Sequence, residues 1–209
     1  MIFGQGLLLI GDVRSQHWPL IVFLALAGLV IVYLYKRFGG KASKGMGLIF
    51  DVGHAREEKI PLVLVPLIML TTWMSHLFGG SVGREGVAVQ IGATLSHRFA
   101  RHIKIPDASR IFLMTGMAAG FAGLFQTPLA ATFFALEVLT VGELQLMALY
   151  PALIASIVAS FTSHALGLEK FAVPLRETLN WTPETLIKVA LLGLAFGLAG
   201  KLLSLIHIS

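Results

Sequence analysis

The apolar residues of this chain come in runs long enough to cross a bilayer, separated by short glycine-, proline- or charge-rich breaks. Residues 18–35 are almost purely apolar and end at Lys36-Arg37, close to the ~20 residues needed to span the hydrocarbon core. A glycine-punctuated basic loop follows at residues 39–47, then a short apolar piece at 48–52 and a charged stretch at 54–59. Pro61 stands where a first helical turn tolerates proline, and a second span is predicted from residue 62 to about 78. The chain breaks at residues 79–86 (Gly-Gly-Ser-Val-Gly-Arg-Glu-Gly) and is expected to turn helical again from Val87 to about Ala100. Further apolar segments lie at 111–125, 129–139, 144–166 and 186–203. Several are too short to cross a bilayer. Non-helical backbone at membrane depth survives only where protein or a watery cavity satisfies its polar groups. Alternating long and broken helices therefore predict a transporter with its site at the breaks.

Composition narrows the class. Hydrophobic residues make up 56% of the 209 positions and charged residues only 13%, half the roughly 25% share of soluble domains. There is no cysteine, and the only aspartates are Asp12, Asp51 and Asp107; neither a thiolate site nor a carboxylate cage is expected, so no metal and no cofactor. A net charge of +5 does not imply nucleic acid, because the basic residues sit in short loops, where they set orientation in a membrane. Residues 36–59 carry Lys36, Arg37, Lys41, Lys44, Arg56 and Lys59 against a lone Arg14 in residues 1–17. That asymmetry places the 36–59 loop in the cytoplasm and residues 1–17 outside, as an extracellular loop. Arg98, Arg101, Lys104 and Arg110 are read as a second inside cluster. Trp18, Trp73 and Trp181 fall near predicted span ends, as an aromatic belt would have them. His76, His97 and His102 lack metal-ligand spacing and are read as interfacial.

Gly83-Arg84-Glu85-Gly86 is the candidate site. A carboxylate flanked by glycines between two apolar runs is costly in a membrane and marks function. Unpaired N–H groups at the start of the following helix make an anion pocket, reinforced by the positive end of the helix dipole, and glycine lets an ion approach the backbone. Unoccupied, that pocket can take the Glu85 carboxylate itself; protonation removes the attraction and frees the side chain, giving a proton-coupled gate. The alternative is that Glu85 caps its own helix or pairs with Arg84. An intramembrane enzyme would need a nucleophile and base together. The strong intramembrane acids, Glu85 and Glu137, have no His or Asp beside them, so no enzyme is expected.

The stretch Gly83-Arg84-Glu85-Gly86 with Val89-Gln90-Ile91-Gly92 resembles the gating motif of the CLC family of chloride channels and proton-coupled anion exchangers. Residues 115–120 (Thr-Gly-Met-Ala-Ala-Gly), Pro128-Leu129-Ala130 and Glu137 resemble the family's next two helices in order and spacing. Gly45-Met46-Gly47-Leu48 falls where the family carries its first anion-binding loop, usually Gly-Ser-Gly-Ile-Pro. The resemblance covers roughly residues 15–202. It implies an all-α membrane protein of the cell membrane, a CLC-type multi-pass bundle of tilted and re-entrant helices forming roughly the first of two inverted repeats. It implies Glu85 as the external gate, with Gly45, Met46, Gly47, Arg84, Gly86, Val87 and Ala88 around the anion, and, for the intact protein, a homodimer whose interface matches residues 129–139 and 144–166.

The departures carry meaning. Met46 replaces a chloride-binding serine, Ile49 a proline, and Val87 a proline whose missing N–H is thereby restored. These resemble the fluoride-exporting branch, which exchanges fluoride for protons; the alternative is a chloride channel or a chloride/proton exchanger of the same family. Val138 stands where many chloride–proton exchangers have a second, proton-relaying glutamate, and Glu137 beside it is expected to be structural, hydrogen-bonded near a helix end. No Gly-x-Phe-x-Pro motif is present, and none of Tyr33, Tyr35 and Tyr150 lies at a C-terminal helix like the family's anion-binding tyrosine. The expected organisation is thus an N-terminal remnant at 1–17, a partial transmembrane domain at 18–202, and a non-native tail at 203–209 that reads like translated adapter DNA. A regulatory half-protein that transports nothing is a third reading.

Overall fold

The computed structural model describes residues 2–57, 59–140, 142–168 and 182–208, with residues 204–208 as helical backbone only. The described elements are helical throughout: α1 (Ile2–Gln16), α2 (Leu24–Leu34), α3 (Met46–Gly53), α4 (Leu64–Leu77), α5 (Glu85–Ala100), α6 (Ala108–Phe125), α7 (Pro128–Glu137), α8 (Leu149–Ala165) and α9 (Pro183–Ile208). Among the described residues, four stretches are long and apolar enough to cross a membrane: Trp18–Gly53, Ala108–Phe125, Leu146–Ala165 and Pro183–Leu203. Leu64–Leu77 and Pro128–Glu137 are apolar but shorter, as the sequence pattern predicts for a bundle that mixes full spans with partial ones. Trp181 lies outside the described residues.

The chain forms two units, residues 1–171 and 172–209. In the first, α6 is central and touches α3, α5, α7 and α8. Its Leu113, Met114, Met117, Ala118 and Ala122 are fully buried, facing a core that includes Leu48, Ile49, Val89, Ala93, Ala135 and Leu136. The α5–α6 contact is backbone on backbone. A Cβ on Gly92 would lie 2.0 Å from the Gly116 carbonyl oxygen, one on Gly116 2.3 Å from that of Gly92, and one on Gly120 2.2 Å from that of Ala88. Small residues four apart let two helices approach this closely where lipid gives no hydrophobic drive between them. Polar side chains add interhelical bonds: Ser96 Oγ donates to the Phe112 carbonyl at 2.6 Å, Ser163 Oγ to that of Gly123 at 2.6 Å, and the Thr132 and Ser156 hydroxyls meet at 2.9 Å.

Two expectations are corrected, and one predicted span is irregular. Residues 1–17 are not a loop: α1 docks on α4, because Phe3 and Leu7, one turn apart, are buried and Gly6 leaves room for the Trp73 ring, which would meet a Cβ at 2.5 Å. Trp73 Nε1 donates to the Phe3 carbonyl at 3.2 Å, and the two rings stack. The run at 18–35 is not one regular helix. Pro19 opens a 3₁₀ turn (Trp18–Phe23) before α2, and Tyr35–Gly39 continues as π-helix. His97 is not interfacial but 3% exposed, its Nδ1 3.1 Å from Ser109 Oγ, because the last turn of α5 packs under the start of α6.

The second unit is the apolar helix α9. Thr182 caps it, its Oγ1 accepting from the Thr185 N–H at 3.2 Å, and Pro183 occupies the first turn, where no N–H is required.

Candidate functional site

Two helix starts make the site. Gly45, at φ +55°, turns the chain into α3, a left-handed conformation that glycine adopts without steric cost. Its N–H donates to the Ala42 carbonyl at 3.0 Å, and the Leu48 N–H to the Gly45 carbonyl at 3.2 Å. Between them, the N–H groups of Met46 and Gly47 make no backbone hydrogen bond, as the first turn of a helix leaves them. Gly45 therefore shapes the loop, its own N–H held by Ala42. Met46 is half-buried and first in the helix.

The second start is α5, which begins at Glu85, two residues earlier than the pattern predicts. Without proline at position 87, the helix extends back to the acidic residue that its positive end favours. This shift changes which groups can donate. The Ala88 N–H is already bonded to the Arg84 carbonyl at 3.1 Å, so Ala88 offers no donor; Glu85, Gly86 and Val87 keep theirs. Val87 is buried at 6% exposure, with the N–H that proline would lack.

Glu85 is exposed and its carboxylate makes no hydrogen bond or ion pair among the described residues; Arg84, half-buried, makes none either. The alternative of a self-capping or Arg84-paired glutamate is thus not what the site contains. Instead the side chain folds back over Gly83, where a Cβ would sit 2.7 Å from Oε2. An unpaired carboxylate beside unpaired amides is a group free to move.

Helices α3 and α5 touch, and Gln90 fills the space between their starts. Position 90 is one turn beyond Gly86, and helical side chains lean back toward the N-terminus, so the carboxamide lies over the first turn of α5. A Cβ on Gly86 would be 3.8 Å from Nε2, and one on Gly45 would be 3.7 Å from Oε1. Sequence reasoning named Gln90 only as part of a motif; the i, i+4 spacing to Gly86 was the available signal.

Glu137 ends α7, exposed and without a hydrogen-bond partner among the described residues, so its expected structural bond is not made. The basic loop that leads into α3 is tied to α3 and to the segment after it by ion pairs: Lys41–Glu57 at 2.5 Å, Lys44–Asp51 at 2.9 Å and Lys44–Glu57 at 3.4 Å. Lys41, ahead of Lys44, holds the Glu57 carboxyl below the usual carboxylate range through its hydrogen bond, against the opposing effect of burial. Among the described residues, no group of three or more acidic or histidine side chains is arranged to hold a metal.

Residues 27–208 match the family described as voltage gated chloride channel. A chloride/fluoride channel protein of Pseudomonas syringae pv. tomato is 37% identical over 190 residues, covering 90% of this chain and 42% of that protein. The voltage-gated ClC-type chloride channel ClcB of Salmonella typhimurium is 30% identical over 155 residues, covering 74% of this chain and 34% of the relative. A crystal structure of a CLC-type fluoride/proton antiporter superposes with a TM-score of 0.88 at 48% identity, over 95% of this chain and 51% of that one. The chain thus spans about half the length, or less, of the relatives it matches. The family match extends over most of the chain, and the chain belongs to the voltage-gated chloride channel family.

Proposed function

We propose that the protein carrying this chain is a fluoride/proton antiporter that exports fluoride, with Glu85 as its gate. The observation that carries this reading is the unpaired Glu85 carboxylate at the first position of α5, beside the free N–H groups of Gly86 and Val87. An anion and a carboxylate compete for the same donors. When Glu85 takes a proton its charge disappears, the competition ends, and the anion can occupy the site; loss of the proton returns the carboxylate and expels the anion. Exchange follows when the proton reaches and leaves Glu85 from the side opposite the anion, so that one fluoride leaves for each proton that enters. Met46 supports fluoride over chloride, since a thioether offers no hydrogen-bond donor where a serine hydroxyl would. The likeness to proteins named for fluoride, a chloride/fluoride channel protein and a fluoride/proton antiporter, supports the same ion. A chloride channel or exchanger is the second reading, favoured by the likeness to the ClcB chloride channel. Neither reading makes the protein an enzyme.

The intact protein is proposed to act as a homodimer in the bilayer. Tyr150, Ile154, Ile157 and Phe161 of α8 are exposed, as are Leu129 and Phe133 of α7, an apolar face suited to a second copy.

The test is coupling. In liposomes holding the full natural protein, an imposed proton gradient should drive fluoride uphill, and Glu85→Gln should abolish this. Fluoride accumulation that survives Glu85→Gln would remove Glu85 from the gate.

A further inference from the structure

Gln90 is only 7% exposed, yet its Oε1 is fully buried without a hydrogen-bond partner, and Nε2 makes no hydrogen bond among the described residues. A buried polar atom left without a partner is rare and calls for an explanation. Its neighbours supply one. The carboxamide lies between Gly45, at the start of α3, and Gly86, in the first turn of α5. The free backbone N–H groups of Met46 and Gly47 open α3, and those of Gly86 and Val87 open α5. A half-turn about the last side-chain torsion exchanges its two ends, so the N–H-bearing nitrogen can be turned to either helix start.

We propose that Gln90 is the side-chain ligand of the transported anion, its Nε2 donating to the ion as it sits between the starts of α3 and α5. The proposal rests on the anion-transport reading above and adds the residue that sets affinity within it. Backbone amides alone give a small, strongly hydrated anion fewer donors than water did. The Met46 side chain contributes no donor, so a carboxamide in the same gap replaces the hydroxyl absent at position 46. The glycines at 45 and 86 keep both approaches to the carboxamide open.

The variant that isolates this role is Gln90→Met, which keeps the length and unbranched shape and removes the donor. In liposomes with the full natural protein, Gln90→Met should raise the fluoride concentration for half-maximal transport about tenfold or more, the scale of one hydrogen bond to a charged group. The maximal rate and the effect on chloride should change much less. Gln90→Glu, equal in size, should raise that concentration further through repulsion, and it serves if the methionine variant does not fold. Unchanged half-maximal fluoride in a folded variant would overturn the proposal. So would an equal loss of maximal rate for both anions, which is the signature of a packing role. A wild-type protein that moves neither anion would overturn the transport reading and this proposal together, whereas an active wild type with indifferent Gln90 variants overturns this proposal alone.

Discussion

Met46 and Glu85 each stand first in a helix, and at that position the side chain decides what the free amides meet. Replacing Met46 by Ser should add one hydroxyl donor at the start of α3 and shift the fluoride-to-chloride preference toward chloride by about tenfold, the size of one hydrogen bond to an ion. An unchanged preference, read from paired efflux traces, would make Met46 apolar filler. The Gly83–Gly86 motif was legible in the sequence because its chemistry is local: a carboxylate, two glycines and an apolar run following. The donor set was less legible, because it depends on where the helix begins. Starting α5 at Val87 makes Ala88 a donor; starting it at Glu85 encloses the Ala88 N–H within the first turn. Gln90 escaped for another reason. Its role needs α3 to arrive beside α5, and no local pattern states that.

Among the elements, α5 and α6 carry the geometry on which the site rests. Gly116→Ala would drive a methyl group into the Gly92 carbonyl, which is backbone and cannot swing aside; overpacking of this kind costs about 1–3 kcal/mol or more. Gly28→Ala in α2 meets nothing within 4 Å and should be neutral or stabilising by up to about 1 kcal/mol, as glycine disfavours helix interiors. Thermal unfolding of the two variants in detergent should separate them, and equal stability would contradict the close crossing. The loop after α3 offers an electrostatic test. Because the Lys41 hydrogen bond lowers the Glu57 pKa, its contribution is present above the unfolded-state value and lost as pH falls through the folded one. Lys41→Met should move the Glu57 titration upward toward the ordinary carboxylate range, observable by carbon NMR of labelled glutamate; an unmoved titration would assign the shift elsewhere. The positive-inside count found these lysines but could not see that they are paired. Likewise the run at 18–35 announced a span, while Pro19 and the π-helical end at Tyr35–Gly39 are backbone adjustments that hydropathy does not register. The docking of α1 was hidden because its contact depends on Trp73, 70 residues from Phe3 in sequence.

For the whole molecule, the long apolar runs made the membrane class readable, while the identity of the second surface at α8 was implied only by the family resemblance. Since the chain has no cysteine, single cysteines at Ile154, Ile157 or Phe161 can report a partner copy directly. At least one should form a disulfide-linked dimer on mild oxidation in membranes, and failure of all three would contradict a homodimer through this face. The most direct measurement of the transported ion and its gate is anion efflux from liposomes carrying the full natural protein. Fluoride and chloride are compared under the same outward gradient, with and without a proton gradient, for wild type and Glu85→Gln. Fluoride release should run well ahead of chloride in the wild type, and its dependence on the proton gradient should disappear in Glu85→Gln. Chloride release equal to or faster than fluoride, or a proton-gradient dependence untouched by Glu85→Gln, would contradict fluoride/proton exchange gated by Glu85.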